Sequence, residues 1–416
     1  MNLMMITLLL ALVQETQTFH LTVEAGKLDR ANTPVRVLLM VKEGLKGARN
    51  VRLVNEAGKI VPAQITDAGP VAVGTAAFEL NTNLTFRDLH FILPSLKAGE
   101  TALFTAHVAL GAGPDEPGFR WKDTAGDNAE LSFGSRPVLR YMYKAIDDSS
   151  KEAREQTYKV FHHLYDPTGQ RLVTKGAGGQ YTHHRGIFYG FNKVTYGEKK
   201  ACDVWHCTNE AHQAHRKFLS SEEGPILGRH IVEIGWHGPG KELFAREERT
   251  LTVYNVPGGT LVEFSSAVHP LVHPLRLDGD PQHAGFHFRA DNEVSAKTAK
   301  QTTYIRPDGA GKPGETRNWP GNKDHVNLPW NAMSFVLGEK RYTTAYLDRP
   351  SNPKEARFSE RDYGRTGSYF VHDFEKDKPL RVAYRLWHQE GQMKPEEVAA
   401  KSADFVDPPV VRVTSK

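Results

Sequence analysis

The chain has 416 residues, 53 basic against 49 acidic side chains, a formal net charge of +4, and 39% apolar residues. That balance fits a folded protein of two domains or one large one. It excludes disorder and gives no ground for a nucleic-acid partner, because no Lys/Arg-rich run or RNA-binding signature accompanies it. Past the N-terminus no stretch approaches 18 apolar residues, so no stable membrane span is expected in the mature protein.

Residues 1–13 are an apolar run of signal-peptide length followed by polar Gln14-Glu15-Thr16-Gln17-Thr18. Read as a secretory leader over residues 1–18, the run predicts an exported protein, periplasmic or secreted. Residues 19–110 alternate apolar and polar side chains in short runs at 21–25, 35–41, 51–54, 90–94 and 101–108, punctuated by Gly, Asn and Pro. That spacing predicts a small β-sandwich. Gly111-Ala112-Gly113-Pro114-Asp115-Glu116-Pro117-Gly118 has turn formers and no apolar period, and reads as a linker.

From 119 to 416 strand patterns dominate again, at 138–143, 250–254, 260–264, 332–337, 342–347 and 380–387. The connections at 255–259 and 338–341 read as hairpins. Only 395–402 reads as a helix, with Pro at its first turn and acids at its positive end. No βαβ alternation, phosphate loop or dinucleotide fingerprint occurs. The expected fold is all-β: a small N-terminal sandwich followed by a large antiparallel β-supersandwich domain.

Histidine marks where to look for chemistry. Of 19 histidines, 13 lie between His162 and His287, under a third of the length. Imidazole transfers protons and ligates metals near neutral pH, so this enrichment points to a site. Within Tyr181-Thr182-His183-His184-Arg185-Gly186, a strand would send the two histidines to opposite faces, whereas a loop could bring both to one place. Arg185 is a plausible clamp for a carboxylate or sulfate. In Cys202-Asp203-Val204-Trp205-His206-Cys207, the cysteines could pair or stay free. His212 and His215 at i, i+3 could share a helix face, with Glu210 completing a metal shell. Trp205 and Trp236 could serve as sugar platforms. His283, Gly285, His287 and Arg289 alternate, which on a strand puts three ionisable groups on one wet face. Arg361-Asp362-Tyr363-Gly364-Arg365 offers a Tyr/Arg pair beside a carboxylate, or a salt-bridged turn.

Taken in order, Tyr181 to Gly190, Asp203-Val204-Trp205, Glu248-Arg249-Thr250-Leu251-Thr252, Gly279-Asp280 through Arg289, Asp348 to Pro353 and Arg361-Asp362-Tyr363-Gly364 resemble the bacterial PmoA family of uncharacterised exported domains, over about residues 130–390. The resemblance implies a domain similar to galactose-mutarotase-like supersandwiches and a role in carbohydrate use. Methane chemistry, which the family name suggests, is not carried over, because that membrane enzyme needs several transmembrane helices. The family pattern usually has Lys-Glu where this chain has Gln282-His283, so an imidazole stands where a carboxylate is usual.

The expected function is an exported carbohydrate-active enzyme that cleaves a glycosidic bond, as a hydrolase or a β-eliminating lyase. His183, His184, His287 and Tyr363 are the expected proton-transfer groups. Arg185, Asp203, Trp205, His283, Arg289, Arg361 and Asp362 are expected to bind substrate. No residue is assigned as a metal ligand, although part of the histidine set could hold a divalent metal. The rival readings are a non-catalytic glycan-binding protein and a metal-dependent redox protein.

Overall fold

Alternation along the strands sets the architecture. The strand Thr16–Glu24 buries Phe19, Leu21 and Val23 and turns the residues between them outward, as a half-buried strand must. The computed structural model describes residues 15–69, 85–111, 113 and 117–415. The apolar run 1–13 falls outside these residues, while Thr16, Gln17 and Thr18 belong to that first strand. Among the described residues no helix is long and apolar enough to cross a membrane.

The contacts divide the described chain into two units. The smaller is a sandwich of a five-stranded and a three-stranded antiparallel sheet. The five-stranded sheet runs in the order Val410–Ser415, Thr16–Glu24, Thr101–Ala109, Asn50–Asn55 and Ile60–Val61, and the three-stranded sheet runs Arg30–Val41, Thr85–Leu96 and Ala63–Asp67. Leu21, Val37, Leu53, Leu89, Phe91 and Phe104 fill the space between them. The C-terminal strand corrects the expected boundary at 416. Val411 and Val413 pair with Val23 and Leu21, so residues 410–415 complete the small sandwich.

The larger unit holds residues 117–408. Its eight-stranded sheet runs Arg357–Arg361, Arg365–Tyr369, Ala284–Arg289, Ile187–Phe191, Phe161–Leu164, Arg136–Met142, Asn128–Phe133 and Phe119–Thr124. A nine-stranded sheet contains the two expected hairpins, Leu243–Tyr254 with Thr260–Pro270 and Trp330–Leu337 with Lys340–Asp348. One continuous apolar core joins the two sheets. Phe286 enters it from the eight-stranded sheet, with its ring 4.4 Å from Phe264 and 4.6 Å from Tyr384 of the other.

Two α-helices occur among the described residues. Pro395–Val406 was expected. Lys151–Thr157 was not; Ser150 caps it, its hydroxyl oxygen accepting from Ala153 N at 3.0 Å. Seven residues are too few to show an apolar period, which is why the pattern hid it.

Candidate functional site

The site lies on the face of the eight-stranded sheet that points away from the core. Along Ile187–Phe191, Ile187, Tyr189 and Phe191 join the core while Phe188 faces out. Along Ala284–Arg289, Phe286 and Phe288 point inward, and Gly285, His287 and Arg289 take the opposite face. Phe188, His287 and Gly367 are consecutive partners across three strands. A Cβ on Gly367 would meet the His287 ring at 2.5 Å, so glycine is what lets that imidazole lie flat on the sheet.

Loops roof this face. Residues 171–186 and 203–207 cross it, and Trp205 packs with Phe161 and Phe188 beneath them. Two buried lysines tie the roof down. Lys159 donates to the carbonyls of His183, at 2.9 Å, and Trp205, with its ammonium 4.1 Å from the Phe188 ring centre. Lys175 donates to the carbonyls of Gly176, Gly178 and His184. Burial pulls the pKa of each down to about 7. Sequence reasoning missed both, since nothing local marks a lysine as buried.

At the mouth of this roof the imidazoles converge. Ring centres lie 4.4 Å apart for His183 and His184, 4.3 Å for His183 and His206, 4.6 Å for His206 and His283, and 5.5 Å for His183 and His283. His183 and His184 share the hollow because their segment is a turn, closed by His184 N donating to Tyr181 O at 2.9 Å. Tyr181, 46% exposed, and Tyr363 form the rim, with ring centres 5.2 Å apart.

Two related turns, each with an aspartate three residues before the histidine, hold His206 and His283. In Asp203-Val204-Trp205-His206, one carboxylate oxygen accepts from the backbone N–H groups of Trp205 and His206, and the other accepts from His206 Nδ1 at 2.7 Å. In Asp280-Pro281-Gln282-His283, the carboxylate accepts from Gln282 N at 2.9 Å, from His283 Nδ1 at 3.0 Å and from Asn192 Nδ2 at 2.7 Å. Burial pushes the Asp280 carboxyl pKa up, but the His283 and Gln282 hydrogen bonds outweigh it and hold the group well below the usual carboxylate range. In both turns Nδ1 is occupied, which leaves Nε2 as the free nitrogen. His206 is the functional residue that was missed, and the signal available for it was Asp-x-x-His, present twice.

The floor is buried. His184 is 1% exposed, and neither of its nitrogens has a hydrogen-bond partner among the described residues; nor does His183 Nε2 or Trp205 Nε1. Burial, followed by the charge of Arg365, lowers the His184 pKa well below its ordinary value. Burial and the neighbouring His206 bring His183 to about 2, so both rings are neutral.

Several expected roles need correction. His287 is 1% exposed with both nitrogens occupied: Arg365 Nη1 donates to Nδ1 at 2.8 Å, and Nε2 donates to Ala284 O at 2.7 Å. It supports the floor and has no free nitrogen for proton transfer. The strand expected to carry a wet row of ionisable groups is buried throughout, and His283 lies in the turn before it. Arg185 is 2% exposed and donates to the carbonyls of His184 and Glu155, so it braces the loop instead of clamping a substrate. Arg289 is buried with its guanidinium 4.8 Å from the Tyr363 ring centre, donating to the carbonyls of Ala290 and Tyr363. Arg361 donates to Glu360 O, and Asp362 pairs with Lys300 at 2.9 Å, which is the salt-bridged turn.

Trp205 and Trp236 are 1% and 0% exposed and cannot be open platforms; Trp236 donates to Glu247 in the core. His212 and His215 lie on a strand, not a helix, so their i, i+3 spacing sends them apart: His212 stacks on His237, and His215 meets Tyr141. Cys202 and Cys207 are buried free thiols. A separate depression lined by Arg306, Asp308, Arg317 and His325 has its charges paired internally, Arg306 with Glu360 and Arg317 with Asp308.

No curated protein matches the chain. Among solved structures, the chain is similar to a glycosyl hydrolase family 38 protein from Enterococcus faecalis, with a TM-score of 0.48 and 8% identity over 96% of this chain and 47% of that one. It is also similar to an α-mannosidase from Enterococcus faecalis V583, with a TM-score of 0.47 and 9% identity over 96% and 46%. The chain thus spans about half the length of each. Residues 128–403, which carry the whole hollow, match the family of unknown function DUF6807, and the chain belongs to that family.

Proposed function

We propose that the chain is a carbohydrate-active enzyme that breaks a glycosidic bond in the hollow between Tyr181, Tyr363 and the two Asp-x-x-His turns. One observation carries this reading: His206 and His283 each have Nδ1 held by a carboxylate and Nε2 turned free beside neutral His183. A carboxylate on Nδ1 fixes the tautomer and stabilises the imidazolium that forms when Nε2 takes a proton, which is the arrangement general acid–base catalysis requires. His206 and His283 are 27% and 25% exposed, so substrate can reach them. The tyrosine rings at the rim offer stacking faces and the floor offers buried polar groups, a combination suited to a ligand that is both ring-shaped and rich in hydroxyls.

The test is product release from a panel of neutral and uronic-acid oligosaccharides, with ultraviolet absorbance separating elimination from hydrolysis. The expected result is cleavage of at least one member and its loss in His283→Ala with glycan binding retained. Binding without cleavage by the unmodified protein would leave a glycan-binding role and overturn the enzyme.

A further inference from the structure

We infer that His183, His206 and His283 together hold one divalent transition-metal ion of the zinc type. One ring nitrogen from each lies within 4.8 Å of one from each of the others, and this is the one such group of three among the described residues. A tetrahedral ion with bonds of about 2.0–2.1 Å needs nitrogens about 3.4 Å apart, so each must move inward by at most about 1 Å. All three sit in turns, outside the strands, where side-chain rotation supplies that shift without disturbing the sheet.

Three features point to an ion over a chance cluster. The carboxylates of Asp203 and Asp280 hold Nδ1 of His206 and His283, the outer-shell arrangement that orients metal-bound histidines and raises their basicity. His183 Nε2 is buried and has no partner among the described residues. The nearest rival, the stacked pair His212 and His237 at 4.4 Å, brings only two imidazoles, and their Nδ1 atoms are bonded to backbone carbonyls. Three imidazole nitrogens suit zinc, cobalt, nickel or copper and disfavour calcium and magnesium, which take oxygen ligands. A fourth position stays open for water or a sugar hydroxyl, as in catalytic sites.

What the ion would do rests on the reading of the hollow as a working site; its binding does not. With an ion present, His206 and His283 serve as ligands, and the metal-bound water takes the proton-accepting role given to them above.

The test uses the full chain, stripped with a chelator and titrated with Zn(II) or Co(II). The inference expects one equivalent bound, visible cobalt d–d bands, a higher melting temperature with zinc, and loss of all three in His206→Ala and His283→Ala. Asp203→Asn and Asp280→Asn are expected to weaken binding by about 10–100-fold, and His237→Ala to leave it unchanged. Should an alanine variant fail to fold, the unmodified protein and the asparagine variants still decide. Failure to take up one equivalent, or equal uptake by the two alanine variants, overturns the inference. Cleavage by metal-free protein would remove the ion's role and keep the acid–base reading; an ion bound without cleavage would keep the metal site and overturn the enzyme reading.

Discussion

The large unit contains two histidine clusters made of the same residue types, and they are built for opposite ends. On the outer face, His206 and His283 have carboxylate partners, a quarter of their surface in solvent and a free Nε2. On the inner side, His162 and His230 are fully buried and bond to each other, Nε2 to Nε2 at 3.0 Å. Tyr141 stacks on His162 at 4.8 Å and Trp121 lies parallel to His230 at 4.7 Å. The inner rings bond to each other through Nε2 and pack against aromatic rings, and the Nδ1 of each is sealed from solvent without a partner among the described residues; the outer rings are aimed where a ligand can arrive. What separates a working histidine from a packed one is the partner on its second nitrogen and the direction of its free edge.

Substitutions on each side of that divide sharpen it. The largest effect is expected in the hollow, where His283→Ala or His206→Ala should lower turnover on the cleaved glycan by about 10²–10⁴-fold. Thermal melts should barely move, because both side chains are partly exposed.

Acid is expected to act on the inner rings. Burial lowers the pKa of His230 and of the equally buried His388 to about 3, against about 6.5 in the unfolded chain. Below 6.5 the unfolded state binds more protons, so stability is flat above that pH and falls as pH drops from 6.5 toward 3. Each histidine then costs about 2 kcal/mol at pH 5. Denaturant midpoints across that range should show the slope, and His388→Gln should reduce it.

His230→Leu leaves His162 Nε2 buried without its partner and should destabilise by about 1–3 kcal/mol, while turnover by the folded fraction stays constant. The smallest effect belongs to the rim. Tyr181→Ala removes one stacking face, worth about 0.5–1.5 kcal/mol, and should raise KM a few-fold without changing kcat.

The fold was readable because strand alternation is a local property. The runs at 35–41, 250–254 and 332–337 fall in strands, the run at 21–25 does so up to Glu24, and both expected hairpins form. The site was readable only in part. Histidine density located the region, but assigning roles from adjacency favoured Arg185, Trp205 and His287, which the loop roof seals from solvent. Burial of an outer sheet face depends on loops that pack over it in three dimensions, and no window of the chain displays it. The Asp-x-x-His repeat is local, but its sign is the residue three places before each histidine and not a second histidine beside it. The C-terminal strand, pairing with the chain's beginning, carries no local sign of its partner.

The most direct test reads the tautomers. Nitrogen-15 spectra of histidine-labelled protein at neutral pH should show His206 and His283 protonated on Nδ1 with a bare Nε2, and His287 protonated on Nε2. Addition of zinc or of a cleaved glycan should shift the Nε2 resonances of His206 and His283 and leave His230 unmoved. Protonation of His206 and His283 on Nε2, or a response confined to the inner pair, would contradict the assignment of the hollow as the working site.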